Sequence, residues 1–257
     1  MREDRQVGLN WRLRPGNPHD GAHNGLQLMT TLLIATRNAH KVQEIGQILG
    51  ENFCCLTLND FPGAPAAIED AETFAGNAKK KVVSLGEWLT KRSEPMPVPA
   101  GEPFYIVADD SGLEVDALAG SPGVHSARFA VEAAPGAANS PDSANNAKLL
   151  RLLEGKPARE RTARFRCVLA VLRLAFDPGS RRVLSFSSSQ IVLLDGVCEG
   201  KISGIASGRG GFGYDPLFVP EGYAQSFAQL GEEIKNKLSH RARALQKLKQ
   251  LIGNEPE

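Results

Sequence analysis

Phe104-Tyr105-Ile106-Val107-Ala108-Asp109-Asp110-Ser111-Gly112 is an apolar run that stops abruptly on two acids. Phe104 to Ala108 reads as a short buried strand. Adjacent carboxylates at the exit of such a strand repel each other and are costly to desolvate, and a cation or a cluster of donors would offset that. Hard oxygen ligands of this kind suit Mg²⁺, which takes one or two carboxylates plus substrate phosphates. Taken alone, the same tetrapeptide reads first as a solvated Asx-turn in which Gly112 supplies a positive φ. The rest of the chain has to decide.

Upstream, Thr31 to Ala35 is a second short buried strand. The polar turn Thr36-Arg37-Asn38-Ala39-His40-Lys41 follows, and then Val42, Ile45, Ile48 and Leu49 recur at helical spacing until Gly50. A strand feeding a helix through a polar turn is a ready anion site, because the first helical N–H groups are unpaired and the dipole favours negative charge. Thr36 and Asn38 add hydrogen-bonding side chains, and Arg37 and Lys41 add charge. The alternative is a plain N-cap beside a solvated lysine. There is no G-x-x-x-x-G-K-[ST] element in the chain.

Between these strands, Glu69-Asp70-Ala71-Glu72 precedes Thr73-Phe74-Ala75-Gly76-Asn77-Ala78 and the apolar positions Val82, Val83, Leu85 and Leu89, a long helix with acids at its start. The lysines at 79–81 read as a solvated helix face. Residues 90–103, with four prolines, read as an exposed loop, and 130–143 as another before a short helix over 145–153. Segments 161–174 and 182–194 read as two long strands joined by a hairpin through Asp177-Pro178-Gly179. Gly208-Arg209-Gly210-Gly211-Phe212-Gly213 formally matches the dinucleotide fingerprint, but Tyr214-Asp215-Pro216 follows where a helix is needed. Its glycines more simply bring backbone close to a flat ligand or a neighbouring strand. A last helix spans about 232–252, with Lys235 and Ser239-His240-Arg241 near its start. Cations there oppose the macrodipole and point to a bound anionic or electron-rich group.

Composition adds boundaries. The 257 residues suffice for one large domain or two small lobes, and 30 Lys and Arg against 29 Asp and Glu give no general nucleic-acid or membrane surface. Cys54, Cys55, Cys167 and Cys198 lack paired C-x-x-C spacing, which argues against a zinc site or disulfide framework and for a reducing cytoplasm. No apolar run approaches the roughly 18–20 residues that span a bilayer. Residues 1–28 show neither apolar periodicity nor a signal-peptide core, and read as a disordered extension ahead of a single domain over 29–257, with Met29 an alternative start.

Six pieces occur in one order: Thr36-x-Asn38-x-x-Lys41, Thr73-Phe74-x-x-Asn77-Ala78, Asp109-Asp110-Ser111-Gly112, Pro122-Gly123-x-x-Ser126-Ala127-Arg128, Phe212-Gly213-Tyr214-Asp215-Pro216 and Ser239-His240-Arg241. Together, over about Leu32 to Leu251, they make the chain resemble the inosine triphosphate pyrophosphatase family. The resemblance implies an elongated α/β fold whose long mixed β-sheet, flanked by helices, forms two lobes with the active-site cleft between them. It implies hydrolysis of ITP, dITP and XTP to the nucleoside monophosphate and pyrophosphate, dependence on Mg²⁺, and a cytoplasmic homodimer. By resemblance, Asp110 is general base and metal ligand, with Asp109 and Glu69 completing the acidic side. The turn Thr36, Arg37, Asn38, Ala39, His40 and Lys41, with Ser111 and Arg128, faces the triphosphate, while Phe212, Gly213, Tyr214, Asp215, Lys235, His240 and Arg241 face the base end. This chain departs at Gly76, where the family commonly has Glu, which leaves Glu69 as the helix-start ligand. Rival readings are a related pyrophosphatase for other modified nucleotides, a nucleotide sensor without turnover, and an aspartyl-phosphate phosphatase.

Overall fold

A computed structural model of the chain describes residues 29–98, 101–131 and 139–254. The extension expected over 1–28 lies outside the described residues. The organising strand is β3, Phe104–Val115, which pairs in parallel with β1 (Thr30–Ile34) and antiparallel along its whole length with β4 (Thr162–Leu174). With β2 (Phe53–Thr57), β5 (Val192–Ile202) and β6 (Phe218–Pro220) it forms one mixed sheet in the order β2-β1-β3-β4-β5-β6.

Both faces of the first half of β3 are covered, which explains its unbroken apolar run. Phe104, Ile106 and Ala108 pack with α2 (Phe74–Thr90), and Tyr105 and Val107 with α1 (Ala39–Leu49) and α5 (His240–Gly253). A third cluster surrounds the far ends of β3, β4 and β5 and draws in α3 (Asp142–Leu152), Tyr214, Phe218 and Phe227 of α4 (Phe227–Leu238). This second lobe faces the α2 side across a cleft of about 740 Å³.

Several expectations are corrected. The strand does not stop at Ala108, so Asp109 and Asp110 lie mid-strand rather than in an Asx-turn. Gly112 is not a positive-φ turn residue either. A Cβ there would lie 2.5 Å from the Gly123 carbonyl oxygen, because the 3-10 helix Gly123–Arg128 packs directly on β3. The second long strand begins at Val192, ten residues after the expected start. The Asp177 turn exists, with the Asp177 N–H donating to the Arg182 carbonyl at 2.9 Å. Beyond it, Ser187 and Gln190 close a capping box around a short 3-10 helix, a local alternative to the β ladder. The proline-rich loop is not simply exposed, since Met96 and Val98 are buried in the α2 cluster. The last helix is two: Ser239 ends α4 and caps α5, its Oγ accepting from the Ala242 N–H at 3.1 Å. Among the described residues, no helix is long and apolar enough to cross a membrane.

Candidate active site

Strand pleating sends successive side chains to opposite faces, so Asp109 and Asp110 serve different surroundings. Asp109 continues the face of Tyr105 and Val107, and its carboxylate is held on all sides. Lys41 Nζ binds it, Arg241 Nε donates at 3.0 Å, Ser111 Oγ at 2.8 Å and the Cys167 thiol at 3.1 Å. Burial pushes this carboxyl up, but the Arg241 and Lys41 charges outweigh it and hold Asp109 well below the usual range. Arg241, 1% exposed, also donates from Nη1 to Glu44 Oε2 at 2.6 Å and from Nη2 to Ser111 Oγ at 2.9 Å. Asp109 is therefore the anchor of an ion network under the cavity rather than one of its lining groups.

Asp110 faces α2 and lines the cavity. Lys81 Nζ donates to its Oδ1 at 2.8 Å, and Asn77 Nδ2 to its Oδ2 at 3.3 Å. Burial raises the Asp110 pKa despite the opposing pull of Lys81 and Lys41. Lys81 also meets Glu69 Oε2 at 3.1 Å, so Asp110 and Glu69 converge on one ammonium. The acids that come together are thus Asp110 and Glu69, not the adjacent pair. Lys81 does not lie on the expected solvated face: its side chain is 11% exposed, and although burial lowers its pKa, Asp110 and Glu69 raise it overall. The α2 periodicity could have found it, because Lys81 lies one turn beyond Asn77 on the same face.

Two hard carboxylates gathered around one cation in an open cleft match the donor set that Mg²⁺ takes together with substrate phosphates. Among the described residues, no group of three or more His, Cys, Asp or Glu is gathered tightly enough to hold a metal by itself.

The α1 turn is divided. Asn38 Oδ1 accepts from the Lys41 N–H at 3.2 Å as the N-cap, and Thr36 Oγ1 from the Asn38 N–H at 3.1 Å. Thr36, Asn38 and Lys41 line the cavity; Arg37 turns away to the Ala64 carbonyl at 2.7 Å, and Ala39 is outside the lining. His40 stacks on Phe212 with ring centroids 5.5 Å apart. Arg128 lines the cavity and donates to the Glu69 carbonyl at 3.2 Å.

At the other end, Phe212, Gly213, Tyr214, Asp215, Lys235, His240 and Arg241 all reach the cavity. Lys235 Nζ stands 4.5 Å from the Phe212 ring centroid and pairs with Asp215 Oδ2 at 2.7 Å. Burial raises the Asp215 pKa even so. Tyr214 O–H donates to the Ser126 carbonyl at 2.9 Å. His240 stacks on Phe165, its Nδ1 is buried without a partner, and burial together with the Arg241 and Lys235 charges lowers its pKa well below the ordinary value. Glu44, which the sequence reading passed over, keeps a buried Oε1 without a partner beside Lys235. The Gly-rich match to the dinucleotide fingerprint leads into turns, and the next helix starts only at Phe227.

The model of the Ham1 family matches residues 32–251. The dITP/XTP pyrophosphatase of Desulforamulus reducens is 44% identical over 86% of this chain and 95% of its own length. That of Geobacter sulfurreducens is 45% identical over 88% and 98%. Among solved structures, the Staphylococcus aureus Ham1 protein superposes with a TM-score of 0.67 at 30% identity, covering 88% of this chain and all of that one. A Mycobacterium abscessus structure described as a nucleoside-triphosphatase, dITP/XTP pyrophosphatase, gives 0.58 at 33%, covering 85% and 98%. By sequence over residues 32–251 and by fold, the chain belongs to the Ham1 family.

Proposed function

We propose that the chain hydrolyses non-canonical purine nucleoside triphosphates, ITP, dITP and XTP, to the monophosphate and pyrophosphate, so clearing them from the nucleotide pool. The observation that carries this is one cleft with a carboxylate pair on a shared cation at one end and an aromatic ring under a lysine at the other. That arrangement suits a triphosphate and a flat base, respectively. The relatives' name adds the bond that is cut.

Asp110 takes the proton from the attacking water. The Pα–oxygen bond to the departing pyrophosphate breaks as the new Pα–oxygen bond forms. Its raised pKa makes it a better base than an ordinary aspartate, while Lys81 keeps it ionised. Asn77 and Lys81 fix its two oxygens. Lys41 and the start of α1 lie where phosphate oxygens gain from positive charge. Asp110 and Glu69 would hold Mg²⁺, which would supply charge neutralisation at the phosphate oxygens when bound. Asp109 contributes indirectly, by fixing Lys41, Ser111 and Arg241.

For the base, Phe212 offers a stacking face that tolerates any ring. Lys235 is donor-only with one hydrogen bond spent on Asp215, so it favours the 6-oxo group of hypoxanthine or xanthine over the amine of adenine. A mismatched buried polar group costs about 1–3 kcal/mol, or roughly ten- to a hundredfold. Lys235→Ala is expected to lower the ITP-to-ATP preference more than it lowers ITP turnover; an unchanged ratio counts against the assignment. The cytoplasm and a homodimer fit this role, the latter testable by light scattering of the purified chain.

The deciding experiment incubates the protein with ITP, XTP, dITP, GTP and ATP plus Mg²⁺ and identifies the products. Pyrophosphate with IMP or XMP, and little from ATP or GTP, is the expected result. Orthophosphate with a diphosphate product places attack at the γ-phosphorus and removes the mechanism. No turnover leaves a sensor.

A further inference from the structure

The loop that carries Phe212 is held by α3 at a single residue. Asp142 and Asn146 lie four apart, one turn along the same helix face. Asp142 Oδ2 accepts from the Gly213 N–H at 2.6 Å, and Asn146 Nδ2 donates to the Gly213 carbonyl at 3.0 Å. Both polar groups of one backbone residue are therefore bound by one helix, at a glycine whose φ of 63° few other residues adopt readily. The frame behind the clamp is tied as well. Asn145 accepts from the Ala130 N–H at 2.7 Å, and the neighbouring Tyr214 hydroxyl reaches the Ser126 carbonyl at 2.9 Å. Phe212, by contrast, is held through its backbone N–H to Asp215 at 2.8 Å, and its ring stacks on His40 and lies beside the Lys235 and Arg241 cations.

We infer that Asp142 and Asn146 are positioning residues that set the Phe212 ring as a base platform through the Gly213 peptide. This rests on the base-stacking role given to Phe212 above. An acid in the first turn of α3 also complements the helix dipole, but a dipole role requires no bond to Gly213 and gives no part to Asn146. The clamp sets where the ring stands when the nucleotide arrives, so it acts on base binding and leaves the phosphate chemistry at Asp110 untouched.

The test is a double-mutant cycle in the full chain, with ITP and Mg²⁺. Asp142→Ala and Asn146→Ala each remove one hydrogen bond, which corresponds to roughly two- to tenfold. The expected result is a KM for ITP raised by that factor with kcat nearly unchanged. In a Phe212→Ala background the same substitutions should have little further effect, because the platform they position is gone. Asp142→Asn keeps an acceptor oxygen and should restore most of the affinity. Additive effects with Phe212→Ala, or losses in kcat alone, overturn the clamp while leaving the functional reading intact. An absence of wild-type ITP turnover removes the functional reading and the clamp with it. If Asp142→Ala melts below the assay temperature, Asn146→Ala and Asp142→Asn carry the same comparison.

Discussion

Lys81→Met removes the ammonium shared by Asp110 and Glu69 while keeping an unbranched chain of similar length on α2. Asp110 is buried, and burial already raises its pKa; Lys81, at 2.8 Å, is the largest influence opposing that. An opposite charge at such range lowers a carboxylate pKa by about 1–3 units, equivalent to about 1.4–4 kcal/mol. Loss of Lys81 should therefore raise the Asp110 pKa further. As the proposed general base Asp110 acts ionised, so a higher pKa moves the acid limb of kcat/KM to higher pH. The assay is kcat/KM for ITP against pH at constant free Mg²⁺, in wild type and variant. An acid limb displaced to higher pH is expected, and activity at alkaline pH should recover in part. The same variant should need less Mg²⁺ for half-maximal rate, because the ammonium no longer competes for the two carboxylates. An acid limb that stays in place refutes the assignment of Asp110 as the titrating base or of Lys81 as its partner.

Asp109→Asn should destabilise the protein by about 3–5 kcal/mol, because it leaves the buried Arg241 guanidinium short of a counter-charge; chemical denaturation measures this. Asp109 also sets an acid window: its folded pKa lies below the unfolded value near 3.9, so its contribution is present above that pH and is lost as pH falls towards the folded pKa. His240 acts earlier, since its folded pKa is depressed below about 6.5. Stability should fall as pH drops below that value, by up to about 1.4 kcal/mol per pH unit, and His240→Phe should flatten the slope in thermal melts across pH 5–7. Gly112→Ala should cost about 1–3 kcal/mol or more by overpacking, since its Cβ would sit 2.5 Å from the Gly123 carbonyl oxygen. A melting temperature unchanged in that variant would mean that the 3-10 helix yields freely.

Much of the fold was legible where one local signal dominated. The Thr31 strand, the Asn38-capped helix and the long α2 helix were each read close to their observed bounds, because periodicity and caps agreed. The misses have physical reasons. Asp109 and Asp110 looked like a strand end because charge is rarely buried; only the Arg241 and Lys41 partners, 132 and 68 residues away in sequence, make Asp109 tolerable there. β2 and β6 went unread because one is a half-exposed edge and the other spans three residues. A continuous apolar stripe hid the break at Ser239, which becomes a cap once α5 turns to pack on β5 at Gly196. Of the candidate site, the motif residues mostly converge, whereas Lys81 was lost inside a lysine run and Glu44 inside an ordinary helix face. Both become visible only through partners supplied by other elements.

The pleat of β3 explains why two adjacent acids can have opposite fates in one site. With a side-chain period of two, Asp109 must share a face with Tyr105 and Val107, and Asp110 with Ile106 and Ala108. The first face is closed by α1 and α5, which bring Lys41 and Arg241; the second opens into the cleft beside Lys81 and Glu69. Burial penalises both carboxylates, yet it is overcome at Asp109 by two strong ion pairs and only partly offset at Asp110. One acid is thereby held ionised as a scaffold, and its neighbour is left with the higher proton affinity that the proposed general base needs. Ser111, on the scaffold face, completes that network by donating to Asp109 and accepting from Arg241. A one-residue slip of β3 against β4 would exchange the two environments. Register along the full β3–β4 ladder is therefore a condition of the chemistry as well as of the fold.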